Sequence, residues 1–260
     1  ALRGRPLQIL DLSDNALGAK GIHACRGVLE SQDALHTLLI CNNGLSAEAA
    51  ELVAEILLYR TPTKVISTDS FPFFVTTFLT LSLHLPFPFP MQLQKFHFYN
   101  NMSGDQGAKN LAPIISSSPE LVDLRFSATR SGREGSRAIA ESLANVPGLI
   151  RLDLSDNTFA EEGAAVLAVA LEKQTQLEEV NLRDASLNYE GSRDVIRALK
   201  RSGAPLKFID LSSNDMTNEI VEDLCDLIAS KPLLEVVMLD ENELGTDGAK
   251  MLAGVLQVLP

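Results

Sequence analysis

Apolar residues recur along this chain in two alternating periods. A short stretch, Leu7-x-x-Leu10-x-Leu12, is followed by Asn15 and Leu17. The phrase returns as Leu149, Leu152, Leu154, Asn157 and Phe159, and as Leu234, Val237, Leu239, Asn242 and Leu244. Period-2 alternation over so few residues predicts a short strand. The second half of each unit changes period. Gly163, Ala164, Leu167, Ala168 and Leu171 form one helical stripe, as do Gly107, Ala108, Leu111, Ala112 and Ile115, and Gly248, Ala249, Leu252, Ala253 and Leu256. Small residues at the head of the stripe are expected to let each helix approach its strand closely.

The leucines that open the phrase are Leu7, Leu35, Leu93, Leu121, Leu149, Leu177, Leu206 and Leu234, mostly 28 residues apart, with one step of 29 and one of 58. A fixed period of this length implies a core built by stacking like units. The phrase L-x-x-L-x-L-x-x-N-x-L is that of the leucine-rich repeat. The expected fold is therefore α/β: a ribonuclease-inhibitor-like solenoid, a horseshoe with a parallel sheet inside and helices outside, forming a single domain over residues 1–260. Asn15, Asn43, Asn101, Asn157, Asn214 and Asn242 are expected to form a structural ladder, each satisfying backbone groups where the chain bends.

One segment does not fit. Residues 65–92 hold six of the chain's eleven phenylalanines and four of its prolines, with neither period. Without them, Leu35 and Leu93 would lie 58 − 28 = 30 residues apart, close to register. A membrane span is disfavoured, because only the 13 residues between Pro72 and Pro86 are uninterrupted, against roughly 20 needed. A partner-docking loop is one reading. The favoured one is a retained intron: valine codons begin like a donor site, glutamine can end an acceptor site, and Phe, Leu, Pro and Ser codons are rich in pyrimidines.

Composition narrows the partners. A formal charge of −12 argues against nucleic acid and for a basic protein partner. Three widely spaced cysteines suggest a reducing compartment, and the start at Ala1 shows no positively charged leader. Between the strand leucines, carboxylates dominate the expected inner face. Asp14, Asp153, Asp156, Asp184, Asp210, Asp240 and Glu241, together with Asn100, are the candidate partner-binding residues, with Lys95, Arg125, Arg151 and Arg183 among them.

Catalytic motifs are absent from the sequence: no phosphate-binding loop, zinc-protease motif or nucleophile elbow appears. The histidines lack a ligand spacing, so neither metal nor cofactor is expected. The second unit carries a pair, Asn42-Asn43, where one asparagine serves the ladder. Asn43 takes the structural place. Asn42 is left at the edge of the inner face, its carboxamide expected to be free for a partner, and Asn100 repeats the arrangement before Asn101.

The phrases LDLSDNALGAKG, LLICNNGLSAEAAELVAEIL and FHFYNNMSGDQGAKNLA closely resemble the leucine-rich domain of Ran GTPase-activating proteins, particularly those of plants. The likeness covers all but the insert. It implies a protein that is no enzyme itself, docks as a monomer on GTP-bound Ran and stimulates hydrolysis there, in support of nucleocytoplasmic transport. The family's catalytic asparagine matches Asn42, whose role would be to orient Ran's glutamine. The resemblance further implies a cytoplasmic protein, held at the outer nuclear envelope by an N-terminal targeting domain that this chain lacks, as it lacks the acidic tail. No membrane insertion is expected. The alternative is a non-catalytic interaction scaffold, or an inactive fragment of the activator.

Overall fold

The computed structural model describes residues 6–58 and 91–257. Eight parallel strands form one open sheet in strict chain order. They are β1 (Ile9–Asp11), β2 (Thr37–Leu39), β3 (Lys95–His97), β4 (Asp123–Arg125), β5 (Arg151–Asp153), β6 (Glu179–Asn181), β7 (Phe208–Asp210) and β8 (Val236–Met238). Each is followed by a helix: α1 (Gly18–Leu29), α2 (Ala47–Leu58), α3 (Gly104–Ser116), α4 (Arg133–Ser142), α5 (Ala160–Leu171), α6 (Asn188–Arg201), α7 (Val221–Ser230) and α8 (Gly245–Leu256). The chain is thus a leucine-rich repeat solenoid whose sheet does not close.

The apolar phrase fills the space between sheet and helices. Leu10, Leu38, Phe96, Leu124, Leu152, Val180 and Ile209, the middle residues of successive strands, are all buried. One row further on, Phe98 stacks on Phe126 with ring centroids 5.6 Å apart. From the helical side come Leu111, Ile115, Leu167, Leu171, Val195 and Leu199, each fully buried. Every repeat therefore lends apolar area to its neighbours rather than to a private core, which is why the units are stable only as a stack.

The small residues at the helix starts act differently from the expectation. A Cβ on Gly191 would lie 2.6 Å from Cβ of Ala164, on the preceding helix, and one on Gly107 would lie 2.2 Å from Cβ of Ser103, just before its own helix. The close approach is between successive helices and their entry turns, not between helix and strand.

The register steps by 28 residues from Ile9 to Thr37 and by 58 from Thr37 to Lys95, so β2 and β3 are hydrogen-bonded neighbours across the long step. Thirty-six residues separate Leu58 from Lys95, against six between Ser116 and Asp123. The surplus falls between a helix and the next strand. The segment 65–92 lies outside the described residues except for Met91 and Gln92; Met91 is buried, and its N–H donates to the carbonyl of Ser117 at 2.7 Å. Cys25, Cys41 and Cys225 are free thiols. No described helix is long and apolar enough to cross a membrane.

Candidate functional site

After each strand the chain must turn from the inner face toward the helix, and two adjacent columns of residues manage that turn. The first is the rim column: Asp14, Asn42, Asn100, Ala128, Asp156, Asp184, Ser213 and Glu241, all with φ between 46° and 62°. This left-handed conformation is costly for most side chains and least so for asparagine and aspartate, which hold five of the eight places. The backbone N–H of each rim residue from Asp14 to Ser213 also reaches the next repeat, as in Asn42 to the carbonyl of Tyr99 at 2.9 Å and Asn100 to that of Ser127 at 3.0 Å.

The second column is the buried ladder. Oδ1 of Asn43 accepts from the N–H groups of Asn15 and Leu17 in the preceding repeat, at 3.0 and 3.3 Å, while Nδ2 donates to the carbonyls of Leu12 and Cys41. Asn101, Asn157, Asn214 and Asn242 repeat this, each accepting from two N–H groups one repeat back. Asn15 donates only within its own turn, to Leu12 and Ser13. In the fourth unit the place falls to Thr129, whose hydroxyl donates to Asn157 at 2.8 Å, and in the sixth to Ala185.

Asn42 is exposed at the rim, but its carboxamide is not free as expected. Nδ2 donates to Oδ1 of Asp14 at 2.6 Å, and Oδ1 accepts from Nδ2 of Asn100 at 2.8 Å. Three predicted site residues, from three successive units, thus form one chain of hydrogen bonds. A primary amide has two donor protons and two acceptor lone pairs, so one of each on Asn42 remains for a partner.

The other predicted binding residues separate into groups. Asp156 and Asp184 are exposed rim neighbours; burial, and then the charge of Asp184, push the Asp156 carboxyl above its usual range. Glu241 accepts from Arg183 at 2.8 Å and from the hydroxyl of Ser213. Asp240 is exposed one row inside it. Asp153 accepts from the N–H of Ser155 at 3.1 Å, and Asp210 from that of Ser212 at 2.9 Å. Asp210 is moreover buried, a correction to its place on the expected binding face. The same local turn is made by Asp11 with Ser13. The recurrent D-L-S triplet carried this signal in the sequence: the aspartate closes a turn with the residue two ahead.

The centre of the inner face is not a field of free carboxylates. Asp123, missed as a special residue, is buried at 3% exposure, with Lys95 Nζ at 2.9 Å and His97 Nε2 at 2.8 Å. Burial acts to raise its pKa, but the hydrogen bonds and charges of His97 and Lys95 outweigh it and hold the carboxyl well below the usual carboxylate range. Beside it Arg151 pairs with Glu179 at 3.1 Å. Lys95 and Arg151 are thus matched to carboxylates in mid-sheet and Arg183 to Glu241 at the rim, and Asp156, Asp184 and Asp240 are exposed toward the rim. Among the described residues no group of side chains could hold a metal ion.

A family model described as Leucine Rich repeat matches residues 5–24, 149–168 and 204–225. No curated protein matches the chain. Among solved structures, a tropomodulin C-terminal domain from Caenorhabditis elegans aligns at 14% identity and a TM-score of 0.41, over 58% of this chain and 90% of that one. Leucine-rich repeats with an open, solvated inner face provide a protein-interaction scaffold.

Proposed function

We propose that this scaffold is a GTPase activator for Ran, docking on the GTP-bound form and orienting its catalytic glutamine with Asn42 in support of nucleocytoplasmic transport. The chain supplies no chemistry of its own: the partner's glutamine holds the attacking water, and fixing that glutamine is the activator's contribution. The observation that carries this reading is the state of Asn42, exposed on the rim yet held on both sides by Asp14 and Asn100. Its remaining N–H and lone pair match the acceptor and donor of a glutamine carboxamide. The acidic rim around Asp156, Asp184, Asp240 and Glu241 would draw in a cationic surface and speed encounter. Cytoplasm and the outer nuclear envelope are the places where such an activator works.

Single-turnover hydrolysis of Ran-bound GTP, with and without the chain, is the test. Acceleration that disappears in Asn42→Ala while Ran binding persists supports the activator. Association should weaken from low to physiological salt, as screened charges do. A second reading is a scaffold without activator function, favoured by the rim column itself: the left-handed backbone explains an asparagine at 42 without any partner. Binding of Ran without acceleration would select it.

A further inference from the structure

We infer that Asp14 and Asn100 are positioning residues that set which way the Asn42 carboxamide points; this rests on the activator reading above. The argument is one of donor and acceptor direction. An ionised carboxylate can only accept hydrogen bonds. Asp14 therefore turns the Asn42 NH2 group toward the first repeat, and the Asn42 carbonyl is left facing the third, where the NH2 of Asn100 meets it at 2.8 Å. The run has a defined start, because a carboxylate cannot be flipped to donate. It has a defined end, because the next rim residue is Ala128, which has no polar side chain to continue it.

An asparagine alone on a solvated rim would populate both amide orientations. Only one presents its outward N–H and lone pair in the order that a given partner amide requires, and the relay removes the other. The backbone holds the spacing, since Asn42 and Asn100 each donate their N–H to the following repeat. The partner group recognised is a primary carboxamide or a peptide group, which offers one donor and one acceptor side by side.

The test uses the full chain. Asp14→Asn keeps the left-handed preference and the size but can present either a donor or an acceptor to Asn42. At saturating chain it should lower the rate of Ran-bound GTP hydrolysis about twofold, the loss expected when half the molecules hold the other amide orientation, with half-saturation changed less than that. Asn100→Ala should do the same, and Ala128 shows that the column accepts alanine at φ 49°. Independently, in 15N-labelled protein one side-chain amide proton of Asn42 should be shifted downfield and slow to exchange, and Asp14→Ala should abolish both properties. An Asn42 amide signal that Asp14→Ala leaves unchanged overturns the relay. So does normal acceleration by Asp14→Asn beside an inactive Asn42→Ala, with the activator reading intact. Full acceleration by Asn42→Ala overturns both.

Discussion

Asn42 and Asn43 are the same residue type, adjacent in sequence, and they live in opposite environments. Asn43 is buried, and all four hydrogen bonds of its side chain go to backbone groups. Asn42 is exposed, and its two go to side chains that water could also satisfy. An unmade bond costs much more in the first setting than in the second, because a buried amide or carbonyl left unpaired loses its hydration as well. The ladder column is therefore about stability, and the rim column is free to carry recognition.

The sharpest way to break that contrast is at the most buried rung. Asn214, with no exposed surface, accepts from Ala185 and Leu187 and donates to Leu182. Asn214→Ala should cost about 3 kcal/mol or more in urea unfolding; a loss like that of a surface site would mean that water enters the column. Next is the inner face. Asp123→Ala should cost about 2 kcal/mol, less than opening a fully buried pair, because Lys95 reaches solvent. The sign of its pH dependence follows from the lowered pKa. The folded carboxyl binds fewer protons than the unfolded one near 3.9, so its contribution is complete above about pH 4 and is lost as pH falls through the folded value. The gap in unfolding midpoint between wild type and Asp123→Asn should accordingly narrow from pH 7 to pH 3, and a gap that widens would reverse the assignment. Asn42→Ala comes third, costing about 1 kcal/mol, because it places alanine at φ 52°. A melting temperature as low as that of Asn43→Ala would erase the division between the columns. The smallest effect is a gain: Ala128→Asn puts a better left-handed residue at φ 49° and can extend the rim chain, so it should stabilise by about 0.5 kcal/mol.

Much of this was legible along the chain. The 28-residue spacing of Leu7, Leu35, Leu121 and the rest prescribed the strand order, the parallel register and the ladder places, because a repeating unit can bury its apolar stripe only against a copy of itself. It also located the interruption after the second unit. What escaped was whatever depends on atoms from different repeats. Asp123 looked like one carboxylate among many; its burial requires Lys95 and His97 from the neighbouring strand, 28 and 26 residues back. Asp210 looked like a binding residue and is buried by the packing of its neighbours, whereas the D-L-S turn that it shares with Asp153 is local and was present in the sequence but unread.

The rim shows the same boundary at a single residue. Local pattern was enough to distinguish Asn43 from Asn42, because a fixed period assigns each position its column. That Asn42 is gripped by Asp14 and Asn100 was decided only by tertiary structure. Those partners are 28 residues before it and 58 after it, and only the stacking of repeats, with their left-handed turns in line, brings their side chains within hydrogen-bonding distance. Sequence by itself determined the period and hence the columns; the directions in which side chains point across a column arise from packing, which the period does not encode.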